Sequence, residues 1–222
     1  MLFGAGNDQQ TQHAMDCKAL SALVPLLGHE KKNVRKEACW TLSNIAAGTF
    51  KQAEDLVHFV CPTDGEPLIS KVVKLAHEGE WEVRKEAAWI LANICTGGNV
   101  TNIQALVDRH ALTAIVNLLP VEDVKIVMVA LEALEAVLRK GQESGRRWDL
   151  IIEEVGGQDN LESLQDHDSD EVYQKSMGIL KRYFDAEEEG DDGDVEGDQF
   201  GFAVDPNGMS MGDDFGLGGP SF

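Results

Sequence analysis

Apolar residues recur three and four apart along most of the chain, the spacing that gathers them on one face of a helix. Leu68, Val72 and Leu75 form one such stripe, and the period breaks at Cys61-Pro62-Thr63-Asp64-Gly65, at Gly79, at Gly97-Gly98 and at Pro120. Pro and Gly at those places stop helices and favour turns. The pattern predicts helices over 51–60, 67–77 and 81–95, then 100–107, 112–119 and 123–139, then 148–155, 161–164 and 171–184. Ahead of these, only a short stretch over 9–16 precedes a helix over 20–27, so the first group reads as incomplete. From residue 185 to residue 222 the hydrophobic period is lost and Gly and Asp dominate. That composition predicts a disordered, acidic, Gly-rich tail.

The helices come in repeated sets. Val34-Arg35-Lys36-Glu37-Ala38-Cys39-Trp40-Thr41-Leu42-Ser43-Asn44-Ile45 recurs 49 residues later as Val83-Arg84-Lys85-Glu86-Ala87-Ala88-Trp89-Ile90-Leu91-Ala92-Asn93-Ile94. A degenerate third copy, Lys125 to Ala133, is aligned 40 residues further on, with Val129 in place of the Trp and Ala133 in place of the Asn. A fourth begins at Val172. Self-similarity at this period is the signature of a helical solenoid. The fold expected is all-α, a right-handed superhelical stack of about four units over 5–48, 49–97, 98–141 and 142–184.

Charge narrows the choice of partner. The net charge is −20, and no Lys or Arg follows Arg182. A phosphate backbone is held by clustered cations, so nucleic acid is not expected. No apolar run nears the ~20 residues of a membrane span, so a membrane role is not expected either. The four cysteines form no Cys-x-x-Cys pair and read as reduced core thiols. Neither a Gly-rich phosphate loop, nor a His cluster with metal spacing, nor a nucleophile motif stands out. The chain therefore reads as a non-enzyme, without catalytic residues, metal site or cofactor.

The repeated pairs carry the functional signal. Trp40 with Asn44 and Trp89 with Asn93 lie four apart, on one face of each long helix. A repeated Asn in mid-helix is a poor helix former and costly to bury unpaired, which points to an accessible groove. An amide both donates and accepts, so it can clamp the backbone of an extended peptide whatever its sequence. Neighbouring indoles leave slots for the aliphatic stem of Lys or Arg, with cation–π attraction added. Glu37 and Glu86, three residues before each Trp, are placed to select a cationic head, and Ser43 beside Asn44 joins the candidate set.

The segments KEACWTLSNIAAG and KEAAWILANICTGG resemble the third helices of the late armadillo repeats of the importin-α (karyopherin-α) family, the adaptors for basic nuclear localisation signals. GNDQQTQ and IIEEVGGQDNLESLQDHDSDEVYQKSMGILKRYF resemble that family's C-terminal part. The resemblance implies an armadillo fold, peptide binding in the concave groove by half of the family's second signal site, and a place in both cytoplasm and nucleus. It also implies possible docking of the family's export receptor on the last repeats. Set against that family's repeat spacing, about seven extra residues around 61–66 are implied, and they are expected to form a loop outside the groove. Importin-β is not expected as a partner, because the family's basic N-terminal segment and early repeats have no counterpart here. The alternative function is an armadillo scaffold, or an export-receptor dock that carries no cargo of its own.

Overall fold

The computed structural model describes residues 7–185. These all fall within the unit Met1–Glu188; the unit Glu189–Phe222, and with it nearly all of the expected tail, lies outside the described residues. The described chain is built from helices in four sets of three. The first is α1 (Asp8–Asp16), α2 (Ala19–Leu27) and α3 (Lys32–Ala46); the second is α4 (Phe50–His58), α5 (Leu68–Glu78) and α6 (Trp81–Gly97). The third is α7 (Val100–Val107), α8 (Ala111–Val116) and α9 (Val124–Glu143). The fourth is α10 (Trp148–Glu154), α11 (Gly157–Ser163) with a 3-10 turn over Leu164–Asp166, and α12 (Asp170–Tyr183). No described helix is long and apolar enough to cross a membrane.

The first set is a full set of three, a correction to its reading as incomplete. The helix α1 is as long as α4 and opens with the same device, a capping box. In it, the side chain of Asn7 accepts from the Gln10 amide while Gln10 reaches back to the Asn7 amide. Thr49 and Gln52 do the same for α4. Each box satisfies two donors that a helix start would otherwise leave open.

The corner between the first and second helix of a set is tight wherever the chain turns in the left-handed region. Lys18 (φ 65°), His110 (φ 58°) and Gly156 (φ 78°) hold that place in three of the sets. In the remaining set, nine residues, 59–67, replace the two or three used elsewhere. The longer loop is an ordered hairpin, with Val60 and Pro67 bridging and Lys71 gripping Asp64 and Glu66 at 2.7 Å each. It borders a cavity of about 660 Å³ with α2 and α5.

The long third helices stack in chain order: α3 packs on α6, α6 on α9 and α9 on α12. Their N-caps, Lys31, Glu80, Asp123 and Ser169, define a common register. In that register Leu42, Leu91, Leu134 and Leu180 form one buried row, and Ala38, Ala87, Ala130 and Ser176 another. The small row lets adjacent helices approach, while the Leu row fills the space behind, so one continuous core runs through all four sets.

Cross-links between sets reinforce the stack. Gln52 Nε2 donates to the Asp8 carbonyl at 2.8 Å, tying α4 to α1. Lys140, in α9, donates to the carbonyls of Cys95 (3.0 Å), Thr96 (3.1 Å) and Gly98, closing the C-terminus of α6. Gly98 is required there, since a Cβ would stand 2.5 Å from the Ile94 carbonyl oxygen. Three of the four cysteines are buried, but Cys17 is exposed at the end of α1, a correction to its reading as a core thiol.

Candidate functional site

The stripe that matters is fixed by what surrounds it. On α3, Ala38, Cys39, Leu42, Ser43, Ile45 and Ala46 are buried, which leaves Trp40 and Asn44 half-buried on the helix's remaining face. On α6, the buried set includes Ala87, Ala88, Ile90, Leu91, Ile94 and Cys95. Trp89 therefore projects, 39% exposed, with Asn93 half-buried one turn on. A Trp of ordinary packing would be much better covered. Because α3 and α6 are adjacent and in register, Trp40 and Trp89 occupy equivalent places, as do Asn44 and Asn93.

Hydrogen bonds set the amides. The Nδ2 of Asn44 donates to the Trp40 carbonyl at 3.0 Å, within its own helix. Asn93 Nδ2 instead reaches across to the Ser43 carbonyl, also at 3.0 Å, and so couples α6 to α3. Each amide nitrogen carries a second hydrogen, and each side-chain carbonyl oxygen can accept. Ser43 itself is 7% exposed, with its hydroxyl donating to the Trp40 carbonyl at 2.8 Å. Its part is in supporting Trp40 and receiving Asn93 through its backbone, not in facing a ligand with its side chain.

The acids differ in kind. Glu37 is exposed, 3.8 Å from Lys36. Glu86 is half-buried, and burial pushes its carboxyl above the usual carboxylate range; Lys36 and Lys85 pull it back and Glu37 adds to the rise. This carboxylate, three residues before the exposed Trp89, is therefore held in its charged form at a cost to the fold.

In the third set the structure corrects the alignment. The capping and burial register sets an offset of 43 between α6 and α9, from Glu80 to Asp123, with Gly141 matching Gly98. Glu132, exposed, takes the Trp place, and Ala136, buried, takes the Asn place; Val129 and Ala133 are both core residues. The slip has a simple cause: Ala130-Leu131-Glu132-Ala133-Leu134-Glu135-Ala136 repeats every three residues, so a shift by three looks equally good. In the fourth set the same places fall to Gly178 and Arg182, and the Glu37/Glu86 place falls to Lys175.

Burial pushes the thiols of Cys39 and Cys95 up to about 12, which keeps them protonated. Among the described residues no group of three or more His, Cys, Asp or Glu is placed to hold a metal ion.

Comparison with known proteins supports the helical-repeat fold. An Armadillo/beta-catenin-like repeat model matches residues 7–47, the first set of helices, and an Atypical Arm repeat model matches 148–198. Importin subunit alpha-4 of Arabidopsis thaliana is 44% identical over 172 residues, 74% of this chain. Importin subunit alpha-1a of Oryza sativa subsp. japonica is 36% identical over 192 residues, 83% of this chain. The chain belongs to the importin-α family. It spans about a third of the length of these curated relatives, 31% and 35%. Among solved structures, this importin-α relative is similar to a designed armadillo repeat protein in complex with the peptide (KR)4, with TM-score 0.67 and 32% identity over 81% of this chain and 70% of that one. A second designed armadillo repeat protein gives TM-score 0.68 at 31% identity, with the same coverage.

Proposed function

We propose that the face formed by α3 and α6 binds an extended, Lys- and Arg-rich segment, and that the protein acts by reversible binding as a receptor for basic nuclear localisation signals in transport between cytoplasm and nucleus. The observation that carries this reading is the in-register pair of Trp-x-x-x-Asn rows, with Trp89 exposed where core packing would cover it. The indoles supply slot walls for aliphatic stems, the amides hold peptide backbone, and Glu37 and Glu86 attract the cationic heads. Family membership supports the reading, as does the (KR)4 peptide carried by a designed protein of the same fold.

The site is short. Two Trp rows supply few slots, and the third row offers Glu132 without an amide beside it. Binding in the micromolar range is expected, about −8 kcal/mol. Calorimetric titration of the purified chain with a Lys-Arg peptide tests this. Heat of binding that weakens as salt rises is expected, because mobile ions screen the acids that attract the ligand. Absence of binding at millimolar peptide, or equal binding of a peptide with Asp and Glu in place of Lys and Arg, sinks the proposal.

A further inference from the structure

The face that carries the Trp and Asn rows changes sign along the stack. In the common register of the third helices, the place held by Glu37 and Glu86 is held by Lys175 on α12, and the place held by Asn44 and Asn93 is held by Arg182. Both cations converge on one acid: Lys175 Nζ pairs with Glu135 Oε2, and Arg182 Nη1 lies 3.4 Å from Glu135 Oε1. Two cations thus share the one carboxylate of Glu135, and the Arg182 side chain, 63% exposed, keeps donors free for a further acid. Gly178, between them, presents no side chain where α3 and α6 present Trp. The ridge is open at that point, and a ligand backbone can pass close to α12.

We infer that this end of the face recognises acidic residues in the ligand, so that the preferred partner is a bipolar segment with a Lys-Arg pair at one end and Asp or Glu at the other. The inference rests on the peptide-binding reading above and extends it to a third feature of the ligand. Spacing follows from the fold. Packed helices lie about 8–10 Å apart, so α6 and α12, separated by α9, stand about 18 Å apart. An extended chain covers that in about five residues, at about 3.4 Å each. Between the two ends Glu132 is exposed, which disfavours an acid placed only two or three residues from the basic pair. The ligand pattern is thus a basic pair, a neutral spacer, and an acidic pair about five residues away on the side that runs toward α12.

Fluorescence anisotropy on the full chain tests this with four labelled peptides. All share one Lys-Arg pair. One is flanked by Ser throughout, one carries Asp-Glu about five residues to the N-terminal side, one about five residues to the C-terminal side, and one carries Asp-Glu only two residues away. One, and only one, of the five-residue peptides should bind about fivefold more tightly than the Ser peptide, the scale of two partly exposed ion pairs. The close-spaced peptide should show no gain. The Lys175→Gln and Arg182→Gln double substitution should abolish the gain and leave the Ser peptide's affinity unchanged. If the Ser peptide binds but neither five-residue peptide gains over it, the inference is overturned while the proposed function stands. If the gain survives the double substitution, the assignment of Lys175 and Arg182 is overturned. If the Ser peptide itself does not bind, the proposed function fails and takes this inference with it.

Discussion

Replacing Lys140 by Met isolates one polar contact among those that tie the third set of helices to the second. The substitution keeps the aliphatic stem but removes an ammonium that donates to the carbonyls of Cys95, Thr96 and Gly98 at the end of α6. Hydrogen bonds from a charged group contribute about 1.5–3 kcal/mol each when well buried. Here the Thr96 bond is exposed and Lys140 is half-buried, so water recovers much of that energy. Burial and the neighbouring Arg139 also lower the ammonium's pKa, with Glu143 partly opposing, which shows that holding the charge there has a cost. A cation at a helix C-terminus adds about 0.3–1 kcal/mol. The net loss should be about 2 kcal/mol, or about 4–8 °C in melting temperature for a chain of this size. Arg139→Met is the control: its pair with Glu143, 3.5 Å apart and exposed, should be worth less than about 0.5 kcal/mol. Because the Lys140 acceptors are backbone carbonyls and not ions, the difference between the two variants should persist in high salt. Equal melting temperatures for the two variants would refute the reasoning.

Other outcomes follow from the same geometry. Glu86→Gln should raise the melting temperature at pH 7 while weakening a Lys-Arg peptide. The folded-state pKa of Glu86 is raised, so the folded chain holds its proton to higher pH than the unfolded chain does, and stability falls as pH rises through that window. The stabilising effect, under about 1 kcal/mol after solvent screening, should fade as pH drops below the ordinary Glu range and both states become protonated; thermal melts at about pH 7 and about pH 3 check it. Lys18→Gly and His110→Gly should each stabilise the fold by about 1 kcal/mol, since both residues sit in the left-handed region that disfavours L side chains. Urea melts that show destabilisation would refute that. A thiol reagent under native conditions should label Cys17 and spare Cys39, Cys61 and Cys95 until the chain unfolds. Mass spectrometry of the digested, labelled protein reads this directly.

The sequence revealed the solenoid because its signals were strong and mutually consistent. Gly79, Gly97-Gly98 and Pro120 punctuate the helices, and the KEACW and KEAAW segments repeat almost without change. The extra residues near 61–66 were also legible, against the repeat spacing of the family that the segments resemble. What escaped was register where the repeat decays. The three-residue period of 130–136 hid the true place of Glu132, and with it the pairing of Glu135 with Lys175 and Arg182, which lie 40 and 47 residues away. The full first set escaped as well, because α1 has no buried residue and so no hydrophobic stripe to announce it. Ser43 points inward for a reason that the linear pattern does not contain: its hydroxyl is satisfied by the carbonyl three residues back.

The central claim is that Asn44 and Asn93 hold a peptide backbone beside the Trp slots. It is tested most directly by titrating a Lys-Arg peptide into the Asn44→Ala/Asn93→Ala double variant, with its melting curve alongside. Each lost clamp should weaken binding about tenfold, the equivalent of about 1.4 kcal/mol. The melting temperature should fall by only a few degrees, chiefly from the lost bond between Asn93 and the Ser43 carbonyl. A double variant that binds the peptide as tightly as the parent contradicts the account and leaves these repeats a scaffold.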